Sequence, residues 1–89
     1  MDVLRLRREG VAWSDVGGET VLLDLESSTY FVAKGTGALI VASLAEGTTE
    51  DALVEKVVAH YEVDSETARA DITEFLKQLD DRHMLERVI

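Results

Sequence analysis

The sequence predicts an α+β fold of winged helix-turn-helix composition, a three-stranded antiparallel sheet followed by three helices. Three observations predict it. Short runs of β-forming residues flank Gly17-Gly18, and a third run, TYFVA, follows Ser27-Ser28. The second half instead repeats its apolar residues at helical spacing. A sheet this small cannot close on itself, so helices must cover one of its faces. No proline or low-complexity linker divides the 89 residues, and residues 1–89 read as a single domain.

The elements follow in order. The alternating VLRLR near the N-terminus adds at most a ragged first strand within residues 1–10. Val11 to Val16 is a strand centred on Trp13. Gly17-Gly18 suits a type I′ hairpin, because both central positions need positive φ. Thr20 to Leu25 is the return strand, Ser27-Ser28 marks a second tight turn, and Thr29 to Ala33 is the third strand of the meander.

Thr36 to Glu46 reads as an apolar helix ending at Gly47, a residue suited to a left-handed cap. Thr48 opens a T-x-x-D start signal. In the next helix Leu53, Val54, Val57, Val58 and Tyr61 fall on one side. Asp64 or Ser65 caps a third helix with the apolar stripe Ala68, Ile72, Phe75, Leu76 and Leu79. That helix ends near Arg82 or His83, with Met84 and Leu85 folding back onto the core.

Composition excludes several classes of function. The absence of cysteine removes disulfides, thiol nucleophiles and cysteine-ligated zinc. No run reaches the roughly 18 apolar residues of a membrane span, and MDVLRLRREG has no signal-peptide core. A cytoplasmic location without membrane contact is the expectation. A net charge of −9, from 9 basic and 18 acidic residues, opposes phosphate binding. The third helix sets Arg69, Lys77 and Arg82 against Asp64, Glu66, Asp71, Glu74, Asp80 and Asp81, a poor phosphate clamp. A winged-helix DNA-binding protein is therefore the weaker alternative, and no nucleic-acid partner is expected.

Catalytic patterns are missing as well. His60 and His83 share no metal-ligand spacing, and no metal or other cofactor is expected. His60, at a helix C-terminus, is favoured there by the helix dipole, and His83 stands where a helix normally ends in glycine. The serines have no G-x-S-x-G context. Gly35 and Gly37 lack the third glycine of a dinucleotide fingerprint. Asp80-Asp81 reads as a solvated helix end. The chain is not expected to be an enzyme.

One series of motifs is more specific. LLD-LESST-YFV-AKG-TGALI is followed by Leu44 to Thr48, then by His60-Tyr-Glu-Val-Asp64, then by the A-R-A-D-I-x-x-F-L-x-x-L pattern from Ala68 to Leu79. Over residues 11–86 this series resembles the PqqD-like recognition elements of ribosomally made, post-translationally modified peptides (RiPPs). It is most similar to the stand-alone members of lasso peptide pathways. Two departures stand out. Ala33-Lys34-Gly35 replaces a common Leu-Asn-Pro, leaving Thr36 to cap the first helix. Arg82-His83-Met84-Leu85 replaces the usual Arg-x-Gly-Leu-Leu.

The resemblance implies a non-catalytic adaptor that takes the leader segment of a precursor peptide as an added strand. It would present that segment to a separate cysteine leader peptidase and an ATP-dependent macrocyclase. The alternative within the family is a PqqD-type peptide chaperone for a radical-SAM enzyme. Carried onto this chain, the pairing edge is Thr29, Tyr30, Phe31, Val32 and Ala33. The groove wall is Asp71, Ile72, Phe75 and Leu76. The protein is expected as a monomer, with edge-to-edge dimerisation as the alternative state.

Overall fold

A computed structural model describes residues 3–88. Its elements are β1 (Val3–Leu6), β2 (Val11–Val16), β3 (Glu19–Asp24), β4 (Thr29–Lys34), α1 (Thr36–Glu46), α2 (Glu50–His60), α3 (Ser65–Asp81) and β5 (Leu85–Val88). Strands β2, β3 and β4 form the expected antiparallel meander, with β3 central. The three helices follow it, and the fold is α+β.

Gly17 and Gly18 take φ of 58° and 86°, and Val16 pairs directly with Glu19 across them. The two-residue loop is therefore the predicted hairpin. The second turn is longer than predicted, because Asp24 pairs with Thr29 and four residues intervene. Ser28 absorbs the reversal with a φ of 59°. The return strand accordingly starts and ends one residue early, which leaves Leu25 exposed in the turn.

A second sheet pairs β1 with β5, in antiparallel register from Val3↔Val88 to Leu6↔Leu85. Within the N-terminal stretch, Val3–Leu6 forms a strand paired with β5, and the part of the expectation covering residues 1–2 lies outside the described residues. Leu4 and Leu6 are buried, and Arg5 meets Glu86 across the pair at 3.0 Å. Leu4 also exchanges backbone hydrogen bonds with Thr48, of 2.6 and 2.8 Å, tying this sheet to the α1–α2 connection. Met84 and Leu85 fold onto the core as predicted.

The core lies between the meander and the helices. Leu22, Ile40, Leu44, Leu53, Ile72 and Leu79 are fully buried there. Helix ends depart from the sequence reading in detail. Gly35, at φ 54° and ψ −120°, precedes α1 without any side-chain cap, so Thr36 is the first helical residue and caps nothing. Gly47 has positive φ but ψ of 131°, an extended exit rather than a left-handed one. Thr49, not Thr48, caps α2 by accepting the Ala52 N–H at 3.1 Å. Tyr61 ends α2 half-exposed instead of joining the buried stripe, and Val58 is also exposed. Asp64 caps α3 as predicted, accepting the Thr67 N–H at 2.7 Å.

Candidate functional site

Which backbone groups remain open along β4 follows from the hairpin. A two-residue turn is closed by a hydrogen-bonded pair, here Val16 and Glu19, and bonded pairs alternate from there along the strands. Gly10 and Leu25 fall in the same phase, and the Leu25 N–H does donate to the Gly10 carbonyl at 2.8 Å. Glu19, Val21 and Leu23 thus bond to β2, while Thr20, Leu22 and Asp24 bond to β4. Their partners are Ala33, Phe31 and Thr29. Tyr30, Val32 and Lys34 are left pointing their N–H and C=O groups away from the sheet. Among the described residues no other backbone segment bonds to them.

The same alternation sorts the side chains. Phe31 and Ala33 lie opposite Leu22 and Thr20 on the helix-facing side, and Ala33 is buried there. Tyr30 and Val32 project from the far face, where Tyr30 is 67% exposed. The edge therefore presents backbone from one set of residues and helix-facing side chains from the other.

Helix α3 supplies the opposing wall. The Phe75 ring meets Phe31 edge-on, with centroids 5.6 Å apart and planes at 81°. The Arg82 guanidinium carbon lies 5.1 Å from the Phe31 centroid. Gly37, in the first turn of α1, makes room for this arrangement. A Cβ there would stand 2.8 Å from Phe75 Cε1 and 3.4 Å from Ala33 Cβ. Asp71, Phe75, Gln78 and Arg82 recur at three- and four-residue spacing and form one stripe of the helix.

This geometry divides the expected wall residues. Phe75 is half-buried and packs against Phe31. Asp71 is exposed at the other end of the stripe. Ile72 is fully buried in the core. Leu76 is buried too, and it borders a concavity of about 330 Å³ that also includes Leu4, Thr73 and Arg87. Sequence reading did not place Gly37 or Arg82 at the candidate site, where they stand against Phe75 and Phe31 respectively. Arg82 follows Phe75 by seven residues, two turns along the same stripe, and that spacing was the available signal.

The start of β4 is fixed electrostatically. Asp24 accepts the Glu26 N–H at 3.0 Å and an Arg7 Nη2 bond at 3.3 Å. The Glu26 bond foremost, with the Arg7 charge assisting, holds the Asp24 carboxyl below its usual range against the opposing effect of burial. At the other end, Lys34 pairs with Glu19 at 3.3 Å on the exposed face.

The second free edge, β2, differs. Trp13 is 43% exposed, and after Val11 every residue of β2 is exposed. Among the described residues no aromatic pair like Phe31 and Phe75 stands beside it. Among the described residues no group of three or more histidine, aspartate or glutamate side chains could hold a metal ion. No helix is long and apolar enough to cross a membrane.

The chain is a small α+β domain with an open sheet edge and two packed aromatic rings beside it. The family itself is more specific. The model of the family Coenzyme PQQ synthesis protein D (PqqD) matches residues 19–85, and the chain belongs to that family. Two solved structures are similar over nearly all of it. One is TbiB1 in complex with the TbiA(beta) leader peptide, with a TM-score of 0.86 and 32% identity over 92% of this chain and 94% of that one. The other is a lasso peptide synthetase B1 complexed with the leader peptide, at 0.83 and 29% over 93% and 96% respectively. No curated protein matches this chain.

Proposed function

We propose that this protein is a non-catalytic leader-binding adaptor of a lasso peptide pathway. The leader segment of a precursor peptide adds to the sheet along β4 and sets alternate side chains into the groove against α3. The observation that carries this reading is the open backbone of Tyr30, Val32 and Lys34 beside the Phe31–Phe75 contact. The likeness to two B1 proteins, each in complex with a leader peptide, supports it.

Magnitudes divide the labour between backbone and groove. Up to about six edge hydrogen bonds, at roughly 0.5–1.5 kcal/mol net each, oppose an association cost of roughly 4–15 kcal/mol. Strand pairing alone thus binds weakly and without regard to sequence. Apolar leader side chains buried at about 1.5–3 kcal/mol each supply the remaining affinity and the selectivity. Phe31, Phe75 and the space above Gly37 are where those anchors sit.

In this reading the adaptor acts as a monomer in the cytoplasm, where ribosomal precursors are made. It hands the tethered peptide to a separate cysteine leader peptidase and then to an ATP-dependent macrocyclase. Tethering raises the local substrate concentration, so these enzymes need little affinity of their own. A peptide chaperone serving a radical-SAM enzyme is the second reading, favoured by the family-model match. Titration of a labelled leader peptide from the same gene cluster tests both. Saturable binding by a lasso precursor leader supports the first reading, and binding only by a radical-SAM substrate leader supports the second. Absence of binding by either rejects the adaptor role.

A further inference from the structure

Building on the adaptor reading, we propose that Arg82 selects leaders with an acidic side chain at one fixed place, and so sets the register of the added strand. The chain carries 18 acidic residues against 9 basic ones, so cations along its groove are scarce. Arg82 is one, and its surroundings are unusual. Its N–H is held by the Asp80 and Leu79 carbonyls at the end of α3, and His83, at φ 58°, turns the chain away immediately afterwards. The side chain lies against Phe31, one of the two rings of the groove.

Arg82 also has no carboxylate partner within 4.0 Å among the described residues, although Asp80 and Asp81 precede it. The ion pairs found there are made by Arg5, Arg7, Lys34 and Arg69. A guanidinium stacked on a ring keeps N–H donors free at its rim, in a fork that matches a carboxylate. The Phe31 face thus carries a positive group that is both oriented and uncommitted.

Strand geometry converts this into a pattern. A ligand residue directly opposite a β4 residue shares its face of the sheet. Residues opposite Ala33 and Phe31 therefore both point into the groove, two positions apart. The one near Ala33 meets Gly37 and Phe75 and is apolar. Its neighbour two positions along, toward the Thr29 end, meets Arg82 and is acidic. A peptide shifted by one residue puts the acid on the opposite face, and one shifted by two puts it against Phe75. Register follows from this pair of demands.

The test is selection of a random short-peptide display library on the full chain, in wild-type and R82E forms. The wild type is expected to enrich aspartate or glutamate at one position, two residues from an apolar anchor. R82E is expected to reverse that position to lysine or arginine. The best wild-type peptide should lose about tenfold in affinity to R82Q, and much of its affinity to wild type at high salt. R82Q replaces one exposed end of the side chain, and its melting curve checks that it folds. Apolar anchors enriched without an acidic position, or an acidic position that survives R82E, overturn the inference and leave the adaptor reading standing. Failure to enrich any peptide overturns both.

Discussion

Phe31 and Phe75 meet edge-to-face at 5.6 Å, joining the free strand of the sheet to the last helix across 44 residues of sequence. In the proposed adaptor this contact is what makes the open edge selective. There Tyr30 and Val32, on either side of Phe31, would offer backbone to the leader, while Phe31 itself would offer a ring. Substituting these neighbours separates the two contributions. Phe31→Ala should weaken leader binding roughly 10- to 100-fold, the equivalent of losing about 1.5–3 kcal/mol of apolar burial. Tyr30→Ala, on the far face, should change affinity less than about threefold. Calorimetric titration of both variants with one leader peptide checks the contrast.

Proline at position 32 separates edge from ladder. The Val32 N–H points away from β3, so its loss leaves the pairing of β3 with β4 intact, and edge strands tolerate proline in that phase. Val32→Pro should keep the wild-type melting temperature within a few degrees while abolishing most leader binding. Phe31→Pro, which removes a bond to β3, should unfold the strand. Circular dichroism melts alongside peptide titration distinguish the two.

Gly37→Ala tests the seat of Phe75. Alanine gains about 1 kcal/mol of helix propensity over glycine, but its Cβ would stand 2.8 Å from Phe75 Cε1. The ring can move only by shifting in the groove. Net stability should therefore change little while leader affinity falls several-fold. A melt and a titration of the same variant read both effects.

The Asp64 cap gives a pH signature. Its bond from the Thr67 N–H holds the carboxyl below the ordinary value of 3.8. A carboxyl lowered in the folded state stabilises the fold above the unfolded value and loses that contribution as pH falls through the native one. Asp64→Ala should lower the melting temperature at neutral pH, and the difference from wild type should close as pH drops below 3.8. Melts at a series of pH values follow the closure.

Much of this fold was legible because local signals agreed. Gly17-Gly18 permits one kind of turn, and α1 runs from Thr36 to Glu46 as its apolar composition indicated. Pairing of β1 with β5 was hidden, since Val3 and Val88 meet from opposite ends of the chain and neither run announces its partner. Thr48 and Thr49 are both competent caps, and only the Thr48 bonds to Leu4 decide between them. The proposed groove was legible only in its two rings. Phe31 and Phe75 are aromatic and stand out, but the stripe of α3 has two borders. Nothing in the sequence says which border turns to β4, so a sequence reading groups the buried Ile72 and Leu76 with Phe75 and passes over Arg82.

Amide hydrogen exchange on the free and leader-bound protein tests the central claim most directly. Tyr30, Val32 and Lys34 should exchange fast in the free protein and slow sharply on binding, while Phe31 and Ala33 stay protected throughout. Protection of Tyr30, Val32 and Lys34 before any peptide is added would contradict the account, as would protection appearing at Val11, Trp13 and Asp15 of β2 instead.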